Sequence, residues 1–95
     1  MPKFLIISLK SRNEIYSYSN FLKQQGMFVS IVNSPNSIGS SCMLSIKLDY
    51  KYLNQIVNII NKQKPKSFLG LYLISQLNGN QTIRLMWQKS KTHLF

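Results

Sequence analysis

Among the 95 residues of this chain, the one best equipped for covalent chemistry is its single cysteine, Cys42. The thiolate is the reactive form of cysteine, and nearby cations or a helix N-terminus lower the pKa that governs it. The segment running into it, Asn33-Ser34-Pro35-Asn36-Ser37-Ile38-Gly39-Ser40-Ser41, is dense in turn formers and reads as a loop. Ser40 and Ser41 bring hydroxyls and backbone N–H groups suited to holding an anion next to the thiol. One thiol leaves no second cysteine in the chain to pair with. It excludes an internal disulfide framework and a single-chain cysteine zinc site. The competing reading is that Cys42 is a small buried hydrophobe.

The other chemistry-bearing residues are few. Glu14 and Asp49 are the only acids, and each reads as a helix-start residue rather than half of a catalytic pair. His93 stands near no acid and no second histidine in the sequence. No Walker-type loop, dinucleotide glycine pattern, metal-ligand cluster or nucleophile elbow occurs. Neither a metal nor a cofactor is therefore expected, and a carrier or accessory role is favoured over turnover of a small substrate.

The charge is lopsided. Twelve Lys and Arg face two acids, for a formal net charge of +10, while 44% of the residues are apolar. That apolar share supports a packed core, so the chain is not a disordered basic tail. A chain of this length has room for one two-layer core. The apolar run Phe4-Leu5-Ile6-Ile7 is too short for a secretory signal core, and no stretch approaches a membrane span. The expectation is a cytoplasmic protein with Cys42 reduced.

The elements that must position these residues follow from periodicity. Phe4 to Leu9 is a short Ile/Leu-rich run and reads as a central strand. Ser11 and Glu14 form a capping-box pattern, Ile15, Tyr18 and Leu22 recur at helical spacing, and Gly26 closes a helix over about 12–25. Met27 to Val32 reads as strand two and Cys42 to Leu48 as strand three, where Leu44, Ile46 and Leu48 alternate with Met43, Ser45 and Lys47. Asp49 is placed as the N-cap of a second helix marked by Leu53, Ile56, Val57 and Ile60 and ended by Pro65. Ser67 to Leu77 reads as strand four with a break at Gly70. Asn78-Gly79-Asn80 is a turn signal, returning Thr82 to Trp87 as a fifth strand ahead of a basic tail, Lys89 to Phe95.

The resulting order, β-α-β-β-α-β, is that of an α+β, ferredoxin-like two-layer sandwich with antiparallel sheet order 4-1-3-2 and an extra C-terminal strand. Residues 1–77 form this domain and 78–95 the hairpin strand and tail. In that topology the connections 9–12, 33–42 and 61–67 share one end of the sheet. That end collects Lys10, Arg12, Lys62, Lys64 and Lys66 with Cys42, an electropositive rim around the thiol. The three lysines also lie where cations complement a helix C-terminus. Arg12, in the first turn of helix one, has no such excuse.

The segment Val32 to Ile46 resembles the selenium/sulfur carrier-like proteins, small domains in which a proline-containing loop leads into one cysteine on a strand. Pro35, Ile38, Ser41 and Cys42 match that pattern, and the likeness extends over about residues 3–75. Asn36 and Met43 depart from it, standing where such proteins commonly have Arg and Gly. The resemblance implies that Cys42 carries sulfur or selenium as a persulfide or selenyl sulfide, with Lys10, Arg12, Ser40, Ser41, Lys64 and Lys66 binding an anion or an acidic protein partner.

Two other functions compete. The charge and the fold suit a nucleic-acid-binding module, although strand three offers no aromatic residue for stacking. Strand one is apolar on both faces, so a homodimer formed through the face or edge away from the helices is the third expectation.

Overall fold

The computed structural model describes residues 3–34, 43–77 and 80–88. Over these the chain forms β1 (Lys3–Leu9), α1 (Arg12–Gln24), β2 (Val29–Asn33), β3 (Leu44–Asp49), α2 (Leu53–Lys62), β4 (Phe68–Leu77) and β5 (Asn80–Gln88). It is an α+β fold with two helices and one antiparallel sheet of five strands. The observed order is 2-3-1-4-5, so the expected 4-1-3-2 gains β5 as an edge strand next to β4. The expected fifth strand is thus present and pairs with β4 from Leu77↔Asn80 to Gly70↔Gln88.

Helix α1 begins as its sequence dictates and ends the same way. Ser11 Oγ accepts the Glu14 N–H at 3.3 Å, capping the first turn. At the other end the Gly26 N–H donates to Lys23 O and the Met27 N–H to Leu22 O, the paired bonds of a Schellman motif. Gly26 holds φ at 89°, a left-handed conformation that side chains beyond glycine adopt at a cost. Met27 was expected to open strand two. Its N–H is already committed to the helix end and its side chain is buried, so β2 begins only at Val29.

Two further expectations are corrected. Asp49 caps a single 3₁₀ turn, Tyr50–Tyr52, by accepting the Lys51 N–H at 2.8 Å. Helix α2 follows that turn without a side-chain cap of its own. Gly70 does not break β4. The strand runs through it, and the register shifts on either side, at Ser8/Leu9 toward β1 and at Leu71/Tyr72 toward β5. Bulges take up the irregularity that a break was expected to absorb.

Side-chain alternation along β1 divides the interior in two. Leu5, Ile7 and Leu9 join Ile15, Leu22, Ile56 and Ile60 from both helices in the main core. Ile6 points the other way and packs with Ile74, flanked by Phe4, Val32, Tyr72 and Ile83. The helices therefore cover one face, and among the described residues the second apolar cluster is built from strands. Among the described residues no helix is long and apolar enough to cross a membrane.

Candidate functional site

Antiparallel pairing brings the start of α1, the end of β2, the start of β3, the end of α2 and the start of β4 to one end of the sheet. Cys42, Ser40 and Ser41 belong to the connection between β2 and β3 and lie outside the described residues, as do Pro35, Ile38 and His93. The two ends of that connection are well defined. The Ser34 N–H donates to Met43 O at 2.6 Å, and the Ser34 and Ser45 hydroxyls are 2.6 Å apart. Met43, the covalent neighbour of Cys42, is 74% exposed.

The rim is held together by an acid, not by its cations. One Glu14 carboxylate oxygen, Oε1, accepts the Ser67 N–H at 2.8 Å and the Ser67 hydroxyl. The other, Oε2, accepts the Lys66 N–H at 3.3 Å. Ser67 Oγ in turn accepts the Ser11 N–H at 3.1 Å, and Ser67 O accepts the Lys10 N–H at 2.8 Å. In a capping box the Glu side chain would reach back to the Ser11 N–H itself. Here the Ser67 hydroxyl is inserted between them and relays the bond, so the helix cap also fastens the turn before β4. The carboxylate is held below its ordinary pKa of 4.5, chiefly by the Ser67 hydroxyl, against an opposing push from partial burial.

This network ties the Lys10 and Lys66 backbones together on one seam. Lys10, Arg12, Lys62, Lys64 and Lys66 all have exposed side chains at this end. Beside them a hollow of about 330 Å³ is lined by Glu14, Ser17, Tyr18, Phe21 and Lys64. The Tyr18 hydroxyl donates to Gln63 O at 3.3 Å, and burial pushes its pKa up to about 12, so it is a neutral donor across the physiological range. The arrangement sets exposed positive charge over a backbone held by hydrogen bonds.

Sequence reasoning missed two groupings. Ser67 was read only as the start of a strand; its one legible signal was the capping-box Glu14, whose oxygens had to go somewhere. At the opposite end, Lys3, Phe4, Phe28 and Lys47 line a second hollow, of about 290 Å³, with Ser30, Leu48 and Asp49. Lys47 Nζ stands 4.5 Å from the Phe4 ring centroid, and Lys3 Nζ stands 5.2 Å from that of Tyr50. The exposed Phe28 was unremarkable in the sequence because it looked like part of strand two.

Against this geometry the comparisons with known proteins are sparse. A family described as "Putative Se/S carrier protein-like" matches residues 4–72, which span the seam, the connection between β2 and β3, and both helices. Neither a curated protein nor a solved structure matches the chain.

Proposed function

The chain belongs to the Se/S carrier protein-like family, and on that premise we propose that it carries sulfur or selenium on Cys42. The observation that supports this reading most is the family match, which runs through Cys42 and across the basic end of the fold. The fold is read as the ferredoxin-like β-α-β-β-α-β arrangement with β5 appended, working in the cytoplasm on a reduced thiol.

The chemistry needs only one cysteine. The Cys42 thiolate attacks the outer sulfur of a partner's persulfide. A new S–S bond forms to Cys42 as the partner's S–S bond breaks, and the partner's own sulfur leaves as a thiolate with the electron pair. The sulfane sulfur changes hands without net oxidation, and the reverse step delivers it to an acceptor. Lys10, Arg12, Lys64 and Lys66, with Ser40 and Ser41, draw in an acidic partner surface and favour the thiolate. A homodimer pairing along the β5 edge, where Leu85 and Met86 are exposed, is compatible with this role. Mass measurement across micromolar concentrations checks it.

The carrier reading is tested by incubating the protein with a persulfide donor and measuring labelled sulfur bound per chain, for wild type and Cys42→Ser. Loading of wild type alone is expected. Alkylation of native Cys42 should proceed with a half-ionisation pH below that of a free thiol. Equal loading of the two proteins, or a thiol that reacts only after unfolding, refutes the carrier role.

A further inference from the structure

The end of the sheet away from the rim carries a second, different positive site. Phe28 is 82% exposed, an extreme value for a phenylalanine in a folded chain. It lies in the connection between the Schellman turn at Gly26 and β2, where the Phe28 N–H donates to the Tyr52 hydroxyl at 3.3 Å. Phe28 lines the 290 Å³ hollow together with Phe4, Ser30, Lys3 and Lys47 at this end of the sheet. Among the described residues neither the Lys3 nor the Lys47 ammonium makes an ion pair, and both lie over aromatic rings instead. We propose that this hollow binds single-stranded nucleic acid, one unpaired base stacking on Phe28 while adjoining phosphates meet Lys3 and Lys47.

The choice of occupant follows from what the lining offers. An acidic peptide would satisfy the lysines and leave the ring faces unused. A second copy of this chain, at a net charge of +10, brings more positive charge to a positive site. A paired base keeps its faces inside the duplex. An unpaired base presents a flat face to Phe28 and carries its own negative charge alongside, which is how aromatic and basic residues together hold single strands. Asp49 is the one carboxylate in the lining. It disfavours a phosphate beside it and accepts a hydrogen bond from a base amino group, which favours cytosine over uracil. Strand three lacks aromatics, as the sequence indicates, but the rings come from β1 and from the connection ahead of β2.

The test is fluorescence anisotropy with a labelled oligocytidylate of about a dozen nucleotides. Saturable binding that weakens with salt is expected. Lys3→Gln with Lys47→Gln should flatten the log–log salt dependence by about 1.4, two contacts at about 0.7 each. Phe28→Leu should weaken binding by at least about fivefold with the salt slope unchanged. Because Phe28 is exposed, this variant keeps its fold, which thermal unfolding verifies. Four results overturn the proposal: no binding, an unaffected Phe28→Leu, competition by polyglutamate as strong as by unlabelled oligonucleotide, or a larger loss from Lys64→Gln with Lys66→Gln than from the Lys3 and Lys47 pair.

Discussion

On the helix side of the sheet, Leu5, Ile7 and Leu9 reach zero exposure beneath side chains from α1 and α2. On the other side Ile6 and Ile74 are equally withdrawn from water, yet their packing partners Phe4, Val32, Tyr72 and Ile83 all come from strands. The first face is a layered core of aliphatic side chains. The second is a smaller one, where Phe4, Val32, Tyr72 and Ile83 pack against two isoleucines and the Lys47 ammonium stands over the Phe4 ring. Among the described residues, what packs on each face therefore separates an aliphatic core shared by helices and sheet from a smaller cluster that keeps an aromatic ring and a lysine beside its apolar residues.

The comparison is broken or sharpened first by removing matched core residues. Ile7→Ala should cost about 3–4 kcal/mol in urea unfolding, and Ile6→Ala about 2, since the shallower site collapses more readily around a deletion. Equal losses would mean that the open face is as thickly covered as the helix face. The next effect concerns the seam that joins the two layers. Ser67→Ala should cost about 1–2 kcal/mol near neutrality, because it strands the Ser11 N–H and removes a donor from Glu14. Glu14 has a lowered folded-state pKa, so its contribution is complete above the ordinary 4.5 and is lost as pH falls through the folded value. Urea midpoints taken from neutral pH down into the acid range should therefore converge for wild type and Ser67→Ala.

Smaller effects separate the faces by sign. Ser8 alternates with the helix-side residues of β1 and is buried, with a hydroxyl that has no hydrogen-bond partner among the described residues. Ser8→Ala should stabilise the fold by up to about 1 kcal/mol, read as a higher urea midpoint at unchanged slope. Destabilisation would show that the hydroxyl has a bonding role. Smallest of all, Lys47→Gln should move stability by no more than about 0.5 kcal/mol in thermal unfolding. Lys47 is itself exposed, so its cation over the half-buried Phe4 ring contributes little to folding and is open to a ligand.

Much of the fold was legible because it rests on short-range patterns. Leu53, Ile56, Val57 and Ile60 mark α2 without help, Gly26 ends α1, and the turn residues at 78–80 announce the return of β5. What stayed hidden depends on contacts between distant segments. Glu14 could be read as a helix-start residue, but not that Ser67, far along the chain, takes its side chain. Asp49 was recognised as a cap, and only the intervening 3₁₀ turn changed what it caps. Phe28 has strand-like neighbours, and no local pattern encodes either its exposed ring or the bond from its N–H to Tyr52. The basic rim was readable from topology because strand direction alone assigns connections to an end. The thiol is known here by sequence and family, and the serines beside it likewise.

The central place of β1 has a kinetic side. Its partners are β3 and β4, so Ile7 pairs with Ile46 and with Leu71, both far downstream. Closing such long loops costs entropy before any contact rewards it, and chains built on non-local pairing fold slowly for that reason. During synthesis β1 emerges ahead of the strands it pairs with and waits with both edges bare until they follow. A run such as Phe4-Leu5-Ile6-Ile7 is then the segment most exposed to wrong partners. Charge repulsion between copies, at +10 over these 95 residues, is what this sequence sets against that hazard.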